Sequence, residues 1–171
     1  GTLGNPREVG QFRKSNDIDV VFREETVHTP PKYEELPARV EAFCNFANRD
    51  DQEHWIHPVL KGIMLHFWLA YDHPFTDGNG RTARALFYWH MLSRGYWLFE
   101  YLPLSRYFLR APAQYVRAYL YTETDDNDLT YFLVFNLKAI RLAFMDLQRY
   151  LERKQQENAI SSELLKSHRG F

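Results

Sequence analysis

The segment His73–Arg84, HPFTDGNGRTAR, concentrates residue types that bind anions or move protons. Arg81 and Arg84 are three positions apart, so on a helix they share one face. Their guanidinium groups suit phosphate oxygens, which accept forked hydrogen bonds. Gly78 and Gly80 can take positive φ and let backbone N–H groups approach an anion closely at a helix N-terminus. Together these residues predict a polyphosphate site.

Three further side chains indicate chemistry at that phosphate. Asp77 would repel it unless a divalent cation lay between them, and Mg²⁺ commonly uses one or two carboxylates together with substrate phosphate oxygens. Asn79 offers a neutral donor to a phosphoryl oxygen as charge builds there. His73 suits a general base for an incoming hydroxyl at neutral pH. An ordinary turn would explain Asp77 and the glycines, but not two arginines on one helix face beside a histidine.

The segment resembles the signature of Fic domains, His-x-Phe-x-(Asp/Glu)-Gly-Asn-Gly-Arg-x-x-Arg, at every fixed position. Fic domains transfer AMP from ATP to a Tyr, Thr or Ser hydroxyl of a target protein and release pyrophosphate (AMPylation). The resemblance therefore implies a protein adenylyltransferase that uses ATP and Mg²⁺ and has a hydroxyl-bearing target protein as its partner. The matching residues are His73, Phe75, Asp77, Gly78, Asn79, Gly80, Arg81 and Arg84.

The resemblance also implies a role for each residue. His73 would deprotonate the hydroxyl, Asp77 would hold Mg²⁺ against the α- and β-phosphates, and Phe75 would anchor the loop in the core. Doc-like kinases of the same superfamily carry Lys at the position of Gly80, so the glycine favours AMP transfer. Tyr115 would lie near the nucleotide base, although a core tyrosine gives the same pattern. The phosphate ligands would be Asn79 with the backbone around Gly78 and Gly80 for the α-phosphate, Arg81 for the β-phosphate and Arg84 for the γ-phosphate.

A short alternating stretch before the helices predicts a β-hairpin over about residues 19–28. By the resemblance this hairpin is the flap, which holds the target's hydroxyl-bearing segment by strand-like pairing. The flap residues expected to position the target are Val20, Val21, Phe22, Thr26 and Val27.

Two alternatives to AMPylation stay open. One is net deAMPylation, or transfer of another nucleotide or phosphoryl group. The other is a catalytically silent nucleotide-binding regulatory module, although binding alone does not need the base His73. Many Fic proteins restrain themselves with a helix carrying (Ser/Thr)-x-x-x-Glu-(Gly/Asn), whose glutamate pairs with the residue matching Arg84. The sequence contains no such motif, so we expect such a helix, if one acts here, upstream in the same protein or on a partner.

The remaining sequence predicts an all-α fold, a Fic-like helical bundle with one hairpin. We divide it into an N-terminal segment with the flap (1–36), a helical core (37–157) and a C-terminal tail (158–171) of a chain that we expect to be part of a larger protein. The last helix carries a leucine-rich stripe that could form a coiled coil with a partner or pack within the domain, which we favour. Hydrophobic periodicity and prolines place the helices at Pro37 to about Asn48, from Pro58, about Gly80–Arg94, Leu104–Arg110, Pro112–Thr122, and about Asp128 past Leu151.

Composition narrows the class of protein further. The formal net charge of the 171 residues is −1, which argues against direct nucleic-acid binding by this domain. No apolar run approaches membrane-spanning length, so we expect no membrane partner. A single cysteine, Cys44, cannot form an internal disulfide, and together with the lack of a visible signal peptide this favours the cytoplasm.

Overall fold

The HPFTDGNGRTAR segment joins two helices that lie side by side. The computed structural model describes residues 10–49 and 54–168, with side chains through Leu164. Helix α2 spans Pro58–Asp72 and helix α3 spans Asn79–Ser93. Gly62, early in α2, lies against the side chain of His90, late in α3, so the two helices are antiparallel. The segment therefore forms the turn of a helical hairpin (residues 73–78) and the first residues of its second helix.

The other helices surround this pair, and the predicted all-α fold with one small hairpin is confirmed. Helix α2 packs against α1 and α6 as well as α3, and α6 also contacts α4 and α5. Two short 3₁₀ turns, Tyr33–Glu35 and Trp97–Tyr101, were not predicted. The remaining helices of the described residues are α1, Leu36–Asn48; α4, Leu104–Arg110; α5, Pro112–Thr124; and α6, Thr130–His168.

Prolines mark the helix starts because their missing N–H would have no partner in the first turn. Pro58 and Pro112 are the first residues of α2 and α5. Before α2, the His57 side chain also accepts a hydrogen bond from the backbone N–H of Val59 at 3.2 Å. Helix α3 ends at Ser93, and Gly95, two residues later, has the positive φ of 82° that is common after a helix C-terminus.

Aromatic rings fill the core between α2, α5 and α6. Phe132 of α6 is fully buried, and its ring lies 4.5 Å from Tyr119 and 5.2 Å from Phe67, centroid to centroid. Offset and edge-to-face rings at these distances add attraction to the area that they bury. Tyr119 also lines a cavity together with His73 and Gly80. The aromatic core therefore reaches the turn between α2 and α3.

Most of the stripe predicted along α6 packs against the domain: Ile140 is buried, and Leu133, Phe144 and Leu147 contact the core cluster. The predicted stripe consisted of Leu133, Leu137, Ile140, Phe144, Leu147 and Leu151. Leu137 and Leu151 are exposed, although both belong to the predicted stripe. The prediction followed the large apolar residues, whereas the small side chains of Ala139 and Ala143 are the ones that allow close packing against the bundle. The first half of α6 thus packs within its own domain, as we favoured, and no break separates the predicted tail, since the helix continues to His168. The fully buried residues of α6 are Phe132, Asn136, Ala139, Ile140 and Ala143.

The hairpin forms where predicted. Strand β1 (Val20–Phe22) pairs antiparallel with β2 (Glu25–His28). The two turn residues, Arg23 and Glu24, both have positive φ, as the favoured two-residue turns require. Val21 lies opposite Thr26 and Val20 opposite His28, so β2 carries one extra residue between them. Such a bulge redirects side chains.

No helix in the described ranges combines the length and the apolar character that crossing a bilayer requires.

We predict that Phe132→Ala lowers the free energy of unfolding by about 3–5 kcal/mol, because the cavity left among the rings cannot collapse fully. Urea unfolding measures the change. Leu109→Ala is the control: this side chain is 80% exposed, so its loss should change stability by no more than about 0.5 kcal/mol. A cost below about 1 kcal/mol at Phe132 would contradict the packing described.

Candidate active site

His73 ends α2 in a left-handed backbone conformation. Its φ and ψ are 45° and 55°, a region that costs free energy for a residue with a Cβ. The conformation turns the chain out of the helix directly after Asp72. The ring Nδ1 lies 3.3 Å from the carbonyl oxygen of Ala70. With Nδ1–H donating to this oxygen, Nε2 keeps its lone pair, as a base requires.

The surroundings of His73 keep its ring neutral. Burial lowers the pKa of His73 below its usual 6.5, and the positive charges of His28 and Arg13 lower the pKa further. The Ala70 carbonyl and the Asp77 carboxylate oppose the shift without reversing it. The proton-accepting form therefore predominates near pH 7.

Arg13 holds the backbone around His73, and sequence reasoning missed it. The residue is only 4% exposed. Its Nε donates to the His73 carbonyl oxygen at 2.9 Å, and its backbone N–H donates to the Pro74 carbonyl oxygen, also at 2.9 Å. An arginine 60 residues away from its partner carries no local pattern that could reveal the contact.

Gly78 lies immediately before α3 in a left-handed backbone conformation that favours glycine. Its φ is 86° at the position preceding the helix, where any other residue would be strained. Gly80 was expected to share this freedom, but it lies inside the helix without a positive φ, so that part of the expectation was wrong. A Cβ at Gly80 would lie 3.3 Å from Nη1 of Arg84. The second glycine therefore leaves room for the arginine rather than allowing a turn.

The oxygen and the nitrogen of the Asn79 side-chain amide both bind the backbone of the loop. Its Oδ1 accepts from the backbone N–H of Phe75 at 2.9 Å, and its Nδ2 donates to the Phe75 carbonyl oxygen at 2.7 Å. The side chain is 2% exposed, and its contact with a phosphate stays a prediction. Phe75 is half-buried against Phe12, with ring centroids 5.9 Å apart, and is not part of the main core cluster. The Asn79 amide, rather than the ring of Phe75, holds the loop to the helix.

Asp77 and Arg81 form an exposed ion pair, with Oδ2 and Nη2 2.9 Å apart. In the described part of the chain, no three His, Cys, Asp or Glu side chains come together as a metal site. Mg²⁺ does not need such a cluster, because a single carboxylate can complete a shell made mainly of phosphate oxygens and water. The exposed Asp77 fits a metal that arrives with a nucleotide.

A cavity of about 230 Å³ brings several of the predicted site residues together. His73, Gly80, Arg84 and Tyr115 line it, and so does the hairpin through Val20 and Val27. The bulge in β2 explains why the consecutive residues Val27 and His28 both face the cavity. The other predicted residues, which do not line it, are Val21, Phe22, Thr26, Asp77, Gly78, Asn79 and Arg81.

His28 fastens the hairpin to the helices, another contact that sequence reasoning missed. Its Nε2 lies 2.7 Å from the carbonyl oxygen of Tyr71 in α2, and its Nδ1 lies 2.8 Å from Oε1 of Glu123 in α5. Burial disfavours the charged ring, but Glu123 and the Tyr71 carbonyl outweigh burial and raise the pKa of His28. One side chain thus joins β2 to two helices beside the cavity.

Tyr115 belongs to a buried chain of polar groups behind Arg84. Its hydroxyl lies 3.0 Å from Nε2 of His66 and 3.3 Å from the hydroxyl of Tyr119. Burial raises the pKa of Tyr115, and the nearby Arg84 partly offsets this increase. Burial, with a smaller contribution from Arg84, lowers the pKa of His66 to about 3. His66 and the two tyrosines thus contact one another as neutral groups, and Tyr115 also lies close to Arg84.

Comparison with known proteins identifies the family. Residues 2–91, more than half of the chain, match the Fic/DOC family, and the chain belongs to that family. A relative from Nematostella vectensis named "Protein adenylyltransferase Fic" is 40% identical over 82 residues, which cover 48% of this chain and 18% of that protein. The protein of the same name from Drosophila mojavensis is 35% identical over 92 residues, covering 54% and 17%. The chain thus spans less than a fifth of these curated relatives.

Solved structures share the fold. A Fic family protein from Desulfovibrio desulfuricans G20 has a TM-score of 0.69 and 26% identity, covering 82% of this chain and 41% of that one. Fic-1 (residues 134–508) from C. elegans has a TM-score of 0.61 and 24% identity, covering 90% and 40%. The second likeness concerns the fold alone.

We predict that His66→Gln removes part of the acid sensitivity of folding. Between pH 6.5 and about 3 an unfolded His66 binds a proton that the folded protein excludes, so stability falls as pH falls, by about 1.4 kcal/mol per pH unit. Urea unfolding at pH 6.5 and 5 should show wild type losing about 1.6 kcal/mol more than the variant. Parallel losses in the two proteins would show that His66 is not held neutral.

Proposed function

We propose that this domain transfers AMP from MgATP to a hydroxyl group of a target protein and releases pyrophosphate. The observation that carries the proposal is the cavity in which the neutral His73, Arg84 and the hairpin valines meet beside the N-terminus of α3. Relatives named protein adenylyltransferase support it. The phosphates, the base and the target's chain would all lie within reach of one another there.

The reaction would be a displacement at the α-phosphorus. Nε2 of His73 takes the proton of the target's hydroxyl as its oxygen attacks the α-phosphorus. A new P–O bond forms, the bond from that phosphorus to the bridging oxygen of the β-phosphate breaks, and pyrophosphate leaves. Positioning and charge stabilisation account for most of the rate in such reactions, and here they would come from the amides at the start of α3 and from Arg84.

The residues that would hold the α-, β- and γ-phosphates occur in that order along the loop and α3. Backbone groups around Gly78 and Gly80, with Asn79, would hold the α-phosphate, Arg81 the β-phosphate and Arg84 the γ-phosphate. The helix dipole favours anions at this end of α3. Arg81 would exchange its ion pair with Asp77 for a phosphate. Tyr115, on the cavity wall, would lie near the nucleotide base.

Asp77 would bind Mg²⁺ that enters with ATP. Bound Mg²⁺ would neutralise charge on the α- and β-phosphates. The carboxylate is exposed and lies two residues before the start of α3, next to the amides that would hold the phosphates.

The target would add an extended segment to the hairpin. Strand addition supplies main-chain hydrogen bonds and leaves alternate side chains to determine specificity. Val20 and Val27 would face the acceptor residue beside His73. Val21, Phe22 and Thr26, outside the cavity, would contact the rest of the segment.

We predict that His73→Ala lowers transfer by about 10²–10⁴-fold, because the hydroxyl loses its base. Transfer is measured with α-³²P-ATP in parallel with γ-³²P-ATP, and calorimetry should show ATP affinity within about threefold of wild type, since the phosphate ligands remain. Protein-bound α-label that disappears in the variant supports AMP transfer. Label from the γ-position alone would indicate a kinase, and ATP binding without either label would favour a silent regulatory module.

We predict that Asp77→Asn raises the Mg²⁺ concentration needed for half-maximal transfer by about tenfold or more, because the metal loses its charged protein ligand. A Mg²⁺ titration at fixed ATP measures it. Asp125→Asn, an exposed acid after α5, removes the same charge elsewhere and should leave the titration unchanged. Coincident curves for the two variants would show that Asp77 is not the metal ligand.

A further inference from the structure

Arg13 occupies the C-terminal end of α2. The carbonyl groups of the last turn of a helix have no partner within it, and the helix dipole makes this end negative. Arg13 Nε donates to the His73 carbonyl oxygen at 2.9 Å, and Nη2 lies 3.4 Å from the Asp72 carbonyl oxygen. A buried guanidinium from the N-terminal segment therefore caps α2 at the residue that carries the base.

The same guanidinium binds the chain on both sides of the hairpin. Nη1 donates to the carbonyl oxygen of Ser15 at 3.0 Å, before β1, and Nη2 donates to the carbonyl oxygen of Pro31, after β2. Nη1 also reaches Oδ1 of Asn16 at 3.5 Å. Because guanidinium is planar and its donors are fixed in direction, these acceptors must keep a set geometry around it. Lysine has no equivalent fork.

We infer that Arg13 is a positioning residue for His73: it holds the strained backbone that aims the imidazole, and it keeps the hairpin in register with that ring. The inference rests on the proposed function, in which His73 is the base. His73 has positive φ without being glycine, so its conformation needs support from outside the helix. Arg13 supplies that support through the Asp72, His73 and Pro74 carbonyl groups. The Arg13 guanidinium thus fixes the position of the hairpin, where the target would bind, relative to the base.

The test compares Arg13→Met and Arg13→Lys with Leu36→Ala. Leu36 is buried beside the same N-terminal segment and forms no polar contact with His73, so its loss reports general loosening. For Arg13→Met we expect kcat to fall about 100-fold, as a misplaced base would cause, while KM for ATP stays within about threefold because Arg13 contacts none of the proposed nucleotide ligands. Leu36→Ala should lose thermal stability with kcat nearly unchanged.

The pH profile separates positioning from a purely structural role. The charged groups facing His73 are His28, Arg13 and Asp77. Removing the positive charge in Arg13→Met should move the apparent pKa of the rising limb of kcat upward, whereas Arg13→Lys should move it less and retain more activity. If Arg13→Met does not fold, Arg13→Lys, with its charge but no fork, should still show the loss of kcat without the loss of ATP binding.

A readout without catalysis distinguishes failure of this inference from failure of the proposed function. The imidazole resonance of His73, assigned with His73→Ala, is titrated by NMR in wild type and in the Arg13 variants. An altered His73 chemical shift in Arg13→Lys, which keeps the charge, as well as in Arg13→Met, but not in Leu36→Ala, supports positioning even if no AMP is transferred. Unchanged His73 resonances, or equal losses of kcat in Arg13→Met and Leu36→Ala, would overturn it.

Discussion

The site depends on two helix ends of opposite polarity placed side by side. The negative C-terminus of α2 carries His73, and the positive N-terminus of α3 begins at Asn79, only a short turn later. The dipoles favour a cation at the first end and an anion at the second, which suits the protonated base and the phosphates of the proposed reaction. The cavity lies beside this turn. The left-handed backbone at His73 and Gly78 and the hydrogen bonds of the Asn79 amide maintain its shape.

The hairpin has no core of its own, so polar contacts determine where it lies. Two strands alone are marginally stable in water. His28 joins β2 to α2 and α5, and Arg13 binds the chain at both of its ends. These contacts reach the same two helices that carry His73 and Tyr115. A segment paired with the hairpin would therefore be located relative to His73 by side chains of the domain rather than by the hairpin itself.

Behind the cavity, buried polar groups are matched so that none carries a competing charge. His66 is neutral, and its ring nitrogen contacts the hydroxyl of Tyr115, which in turn contacts the hydroxyl of Tyr119. A charged group there would either pair with Arg84 or repel it. In the described residues no carboxylate forms an ion pair with Arg84, which leaves its guanidinium directed at the cavity for an anionic ligand. The aromatic rings beneath exclude water and strengthen such an interaction.

The sequence by itself determined what is local. Apolar periodicity and prolines predicted every α-helix in the described residues and the hairpin, and the spacing within HPFTDGNGRTAR indicated the family and the proposed phosphate site. The tertiary structure alone decided which groups meet across the chain. Arg13 with His73, and His28 with Glu123, depend on packing that no neighbouring residue encodes. The helical conformation of Gly80 and the use of the Asn79 amide within the loop were also decided there, because backbone geometry and hydrogen-bond partners depend on the assembled turn rather than on residue type.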